Sequence, residues 1–173
     1  MRIYGVNIES VTVIVSVFIF GLGIGSIAGG IASKRFVKSL ALVFALCEAG
    51  IGTFGFFSLN IFQWFAEETI FCSFPLLILY SFSLLVLPTA LMGATLPVLV
   101  ELLQQFDRRT GENVSNLYYC NTLGSGIASI LVVILFYQLF ALQGTIYLAV
   151  AFNYIIALSV MLIAHNAKTV RNT

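Results

Sequence analysis

One carboxylate, Glu48, stands in the middle of an apolar run, and few other groups able to do chemistry accompany it. At helical spacing Ala41, Ala45, Glu48, Gly52 and Gly55 share a face, so the carboxylate belongs to a stripe of small side chains. A charge at the centre of a bilayer costs a few kcal/mol even on the mildest scales, so Glu48 is expected to face protein or a cavity and not lipid. Two roles fit it: a hydrogen bond that holds a neighbouring helix, or a site for a proton or a cation. Asn121, and Asn153 with Tyr154 beside it, could supply amide oxygens at such a site, and Thr89 and Thr95 hydroxyls. Interhelical amides also serve simply to join helices, at about 1 kcal/mol each. Glu101 lies near the end of its run, where an ionised carboxylate reaches water.

Other chemistry is poorly provided for. Cys47, Cys72 and Cys120 are scattered, form no CxxC pair and read as small apolar fillers. His165 sits at the end of an apolar run beside Asn166 and Lys168, an interfacial position. The string Gly21-Leu-Gly-Ile-Gly25 lies within an apolar run, follows no strand and has no ribose-binding acid downstream, so it is no nucleotide loop. No nucleophile–base set or metal cluster is evident, so no cofactor, no metal and no catalysis by this chain alone are expected. A net charge of +1 gives no basis for a nucleic-acid partner.

The elements that must carry these residues follow from composition. Of 173 residues 60% are hydrophobic and 9% charged, where a soluble domain has about a quarter charged. Such a chain cannot cover a water-facing surface and must be an integral membrane protein. Backbone groups in lipid have to pair within their own segment. The expected architecture is therefore all-α, a polytopic bundle of about five transmembrane helices forming one domain over residues 1–173, with helices near 10–33, 39–58, 72–104, 115–140 and 145–165. The third run would measure about 50 Å as straight helix against a core of ~30 Å, so it must tilt, bend or protrude. Ala141-Leu-Gln-Gly144 marks a short turn. If Lys34, Arg35, Lys38, Arg108, Arg109, Lys168 and Arg171 face the cytoplasm, only Arg2 lies outside. That places the N-terminus outside and the C-terminus inside a cell's inner (plasma) membrane, with Trp64 and Phe65 as outer interface anchors. An outside N-terminus without a signal peptide points to a further helix upstream.

Two patterns concern helix contacts. Gly21, Gly25 and Gly29 recur every four residues, a spacing that lets another helix approach closely, either as fixed packing or as a sliding seam. Gly52 and Gly124 belong to comparable small-residue faces, the latter with Asn121, Ser125 and Ala128. The third run holds Pro88, Gly93 and Pro97, each of which weakens a helix. The prolines free carbonyls that Thr89 and Thr95 could cover. They make either an ordinary kink or the loosened backbone found at transporter substrate sites.

Pro88-Thr-Ala-Leu-Met-Gly-Ala-Thr-Leu-Pro97, then Gly111, then Leu117-Tyr-Tyr-Cys-Asn-Thr-Leu-Gly-Ser-Gly126 resemble the membrane region of fused proteins that join a major-facilitator-like part to a spermidine-synthase-like part. Gly21-Leu-Gly-Ile-Gly-Ser-Ile-Ala-Gly-Gly30 and Glu48-Ala-Gly-Ile-Gly52 are similar to its preceding helices, and the resemblance covers about residues 18–165. Gly25 to Arg35 is similar to the Gly-rich basic loop of major-facilitator transporters, without its acidic residue. The family has an earlier helix, of whose junction Arg2 and Gly5 look like a remnant, and a soluble aminopropyltransferase domain whose motifs are not found in these 173 residues. The resemblance implies a membrane module that binds or moves a small cationic, polyamine-like substrate. The alternative is an anchoring or assembly subunit whose Gly seams pair with another chain. Expected partners are the lipid bilayer and either further copies of the chain or a separate membrane or soluble synthase-like chain.

Overall fold

The computed structural model describes residues 8–69, 74–106 and 110–172. Arg2, Gly5, Cys72, Arg108 and Arg109 lie outside them. The described chain is helical almost throughout: α1 (Ile8–Arg35), a 3-10 turn (Val37–Ser39), α2 (Leu40–Thr69), α3 (Phe74–Gln104), α4 (Thr110–Leu131), a π-helical turn (Val132–Phe136) and α5 (Tyr137–Asn172). Among the described residues five segments are long and apolar enough to cross a bilayer: Val11–Arg35, Val37–Glu67, Ile78–Gln104, Gly111–Phe136 and Gln138–Asn166. The chain is thus an all-α membrane helix bundle. Outward positions such as Ile19, Ile27, Leu79 and Val133 are exposed, as befits helices that are apolar all round and meet lipid. Helix α2 continues past its apolar run to Thr69, and α5 reaches Asn172.

The bundle is built on two tight pairs. Helices α1 and α3 run parallel and share the largest interhelical contact, and α2 packs on both α3 and α5. A core of Leu40 and Phe44 from α2 with Val98 and Leu102 from α3 closes the end near the α1–α2 turn, with Val160 of α5 against it. Near the opposite end ring pairs join elements, Phe20 with Phe82 and Phe65 with Tyr80. Helix α4 stands apart: the side chains described along it are almost all exposed.

The segment with two prolines stays helical. Helix α3 runs unbroken from Phe74 to Gln104 through Pro88 and Pro97. The expected threonine cover does not form. Thr89 Oγ1 donates to the carbonyls of Leu85 and Val86 at 2.7 and 3.1 Å, and Thr95 Oγ1 to that of Met92 at 2.8 Å. None of these is the carbonyl four residues before a proline, the one a proline leaves without a donor. A hydroxyl on a helix reaches back to its own preceding turn, and that geometry fixes its acceptor.

Instead, Gly93 and Pro97 of α3 face α1. A side chain at Gly25 would run into the backbone of Ala90, and one at Gly93 into the backbone of Leu22. A Cβ at Gly29 would lie 2.6 Å from the Ala94 carbonyl oxygen and 2.9 Å from Pro97 Cγ, and one at Gly21 would strike Thr89. Each helix thus notches the other at a glycine, and the Pro97 ring fills the notch at Gly29. Close backbone approach of this kind replaces the hydrophobic drive that lipid cannot supply. The seam that the anchoring alternative would pair with another chain is therefore occupied within this one.

Helix α5 is broken by a kink at Ala141, the site of the expected short turn, and the kink carries strain. Ala141 has φ 53° and ψ −172°, close to a region that glycine alone enters readily, at a cost of order 1–3 kcal/mol. Substituting Ala141→Gly will relieve it. We expect thermal unfolding in mild detergent to shift upward, by about 1 kcal/mol once the extra chain entropy of glycine is subtracted.

Candidate functional site

Helix α2 presents Glu48 one turn after Phe44 and one turn before Gly52. At ~100° per residue it falls between these two on the helix circumference. Phe44 packs into the core with Val98 and Leu102 of α3. Gly52 meets α5, where an added Cβ would lie 3.3 Å from the Tyr154 ring and 3.4 Å from Asn153 Cβ. Glu48 therefore points into the wedge between α3 and α5, two helices with no substantial contact of their own. It is half-buried. Among the described residues it has neither a hydrogen bond nor an ion pair, and no buried side-chain oxygen is left without a partner. The carboxyl thus stays open to whatever fills the wedge.

The α2–α5 face beside it is polar by the standard of this molecule. The Thr53 hydroxyl and the Tyr154 phenol are 2.8 Å apart and hydrogen-bonded across the two helices. Thr53 also donates to the Ala49 carbonyl at 2.7 Å, so the phenol is the donor to Thr53. Asn153 Nδ2 donates to the Ala149 carbonyl at 2.9 Å, which turns one end of the amide to its own helix and leaves its carbonyl oxygen as an acceptor. Small residues make this approach possible: Gly55 meets Val150, with an added Cβ 3.0 Å from Val150 Cγ2. Farther along, the Phe56 and Tyr147 rings lie 5.7 Å apart.

The residues named as candidates thus divide. Glu48, Gly52 and Asn153 come together on the α2–α5 side. Thr89 is buried in the α1–α3 seam with its hydroxyl spent on its own helix, and Pro88, Gly93 and Pro97 belong to α3, two of them in the same seam. Thr95 is half-buried and satisfied by Met92. Asn121 and Gly124 sit on exposed α4, with nothing within 4 Å of a Cβ placed at Gly124. One common lining of all five polar candidates is not formed. Helix α4 touches mainly α3 and the turn that follows it, so it cannot bring Asn121 to the wedge. Thr53 is the polar residue of the α2–α5 face that sequence patterning overlooks. Its signal was available: it lies five positions after Glu48 in an otherwise apolar turn.

No family model matches the chain, and no solved structure does. Over 162 residues, 92% of the chain, it is 27% identical to a polyamine aminopropyltransferase of Oceanobacillus iheyensis. The chain spans only 30% of that protein's length. The relationship is weak and partial: a membrane helix bundle loosely related to a polyamine-handling enzyme. Among the described residues no three His, Cys, Asp or Glu side chains group as a metal site would require.

The Thr53–Tyr154 bond offers a direct check on this face. Replacing Tyr154 by Phe keeps the ring over Gly52 and removes the bridge. Interhelical hydrogen bonds in membranes average about 0.6 kcal/mol. We expect a loss of that size in thermal or denaturant unfolding, with Thr53→Val giving the same loss and the double variant adding little to either.

Proposed function

We propose that the chain is the membrane module of a spermidine-synthase-like protein and holds a small cationic, polyamine-like substrate at Glu48. The observation that carries this reading is the carboxyl of Glu48, set within the α2 span in a wedge between helices, with no partner among the described residues. When ionised, a carboxyl only accepts, and an ammonium, with three donors and the opposite charge, complements it. Asn153 offers a second oxygen on the neighbouring helix, and the Tyr154 ring offers a π face on which a cation can rest. An elongated oligoamine could engage these in succession. The name of the Oceanobacillus protein, one that handles polyamines, points to the same substrate class. Catalysis of aminopropyl transfer belongs in this reading to a synthase domain outside the chain, fused or separate. The module sits in the plasma membrane with its basic turns cytoplasmic.

A second reading, an anchor that gathers a partner protein without transport, has one observation in its favour: α4 is exposed nearly all round and carries Asn121, Gly124 and Ser125 on one face. Polyamine binding separates the two. Spermidine is titrated into the purified full chain in proteoliposomes, and its uptake is followed with a radiolabel. Saturable binding that Glu48→Gln weakens roughly tenfold or more supports the substrate site. Absence of spermidine binding in the unaltered chain, or binding indifferent to Glu48→Gln, overturns it.

A further inference from the structure

The turn between α1 and α2 presents Lys34-Arg35-Phe36-Val37-Lys38, with all five side chains exposed. Phe36 is 50% exposed and Val37 44%, two apolar side chains standing among three cations. Among the described residues none of the three cations is in an ion pair. Glu101, the described carboxylate at this end of α3, is half-buried and pairs with none of them.

The turn is held from several sides. Phe36 N–H donates to the Ala32 carbonyl and Ser39 N–H to the Phe36 carbonyl, each at 2.8 Å. Gln105 Nε2, at the end of α3, donates to the Val37 carbonyl at 2.6 Å. Ser33 before the turn and Leu40 after it are both buried. The Arg35 guanidinium lies 6.0 Å from the centre of the Phe36 ring. This is a fixed corner that joins two spanning helices, so it stands at the level of lipid headgroups.

We propose that this corner is a binding site for the headgroup of an anionic phospholipid. Phe36 and Val37 enter the boundary between headgroups and acyl chains, where aromatic and aliphatic side chains gain by burial. Lys34, Arg35 and Lys38 then surround a phosphate from neighbouring positions, the arginine through its planar fork and the lysines as point charges. A zwitterionic headgroup carries its own ammonium and competes with those cations, whereas a net negative one does not. The corner therefore selects lipids by charge. The Gln105 clamp is a positioning residue, because it sets the spacing of the cations and carries no charge itself.

The test uses the full chain in nanodiscs made of equal amounts of phosphatidylglycerol and phosphatidylcholine. Lipids retained after detergent extraction are counted by native mass spectrometry. The unaltered chain is expected to retain phosphatidylglycerol preferentially, with roughly a fivefold contribution from each cation. The variant K34Q/R35Q/K38Q, altered only at exposed side chains, is expected to lose most of that preference. Gln105→Leu, with every cation in place, is expected to lose at least half of the preference, while its helical circular dichroism stays unchanged. Equal retention by the unaltered chain, or an undiminished preference in either variant, overturns the proposal.

Discussion

Replacing Gly25 by leucine is expected to drive α1 away from α3 and to cost about 3 kcal/mol or more in stability, at the upper end of what overpacking produces. The reason is the partner. A Cβ at Gly25 would fall 2.7 Å from the carbonyl carbon and from the Cα of Ala90, backbone atoms that no rotamer change can move. Only separation of the helices accommodates the side chain. Separation also empties the reciprocal notch where Leu22 lies against Gly93 and lifts the Pro97 ring off Gly29. Gly23 is the internal control: it lies on the same helix, with nothing within 4 Å of an added Cβ. Gly23→Ala should be neutral or slightly stabilising, since alanine is the better helix former by about 1 kcal/mol. Thermal unfolding of the purified chain in mild detergent reads both. Equal melting temperatures for Gly25→Leu and the unaltered chain would show that the α1–α3 seam is not formed as described.

The second large effect is expected at Glu48. Glu48→Gln keeps the shape and hydrogen-bonding capacity of the side chain and removes its charge. A charge-assisted hydrogen bond contributes about 1.5–3 kcal/mol, so spermidine affinity should fall roughly tenfold to a hundredfold. The same substitution should leave stability unchanged or raise it, because an unpaired carboxylate within a membrane is costly to keep. That opposition of signs separates a ligand site from helix glue. If Glu48 served only to tie helices together, glutamine would lower the melting temperature and leave binding as it was. Equilibrium binding and thermal unfolding on one preparation decide between them. Glu48→Asp retains the charge on a shorter arm and should restore part of the affinity.

Both predictions rest on residues that stood out in the chain, yet the chain showed them unequally well. The four-residue recurrence of Gly21, Gly25 and Gly29 signals a close helix contact by itself, because small residues at that spacing have few other uses in an apolar run. What it leaves undetermined is the partner. Pro88 and Pro97 showed the converse problem. A missing N–H is a local property and is visible in the sequence, but whether a helix breaks there depends on what stands opposite. Here the Gly29 notch of α1 accepts the Pro97 ring, and α3 continues through both prolines. Thr89 and Thr95 were available as donors, and the reach of a hydroxyl along its own helix gave them other acceptors.

Composition and hydropathy alone determined that this is a membrane protein of about five helices. The cost of burying unpaired backbone groups in lipid leaves helices as the means by which such apolar runs cross. Sequence also singled out Glu48, since a carboxylate in such a run is expensive wherever it points. Tertiary structure decided the rest: that α1 pairs with α3 in parallel, that Asn153 and Tyr154 join Glu48's side of α2 while Thr89 and Asn121 do not, and that a glutamine at the end of α3 pins a basic corner 68 positions away. Periodicity orients a side chain on its own helix and nothing more. Which helix it meets depends on contacts between segments distant in the chain, and no local pattern records them.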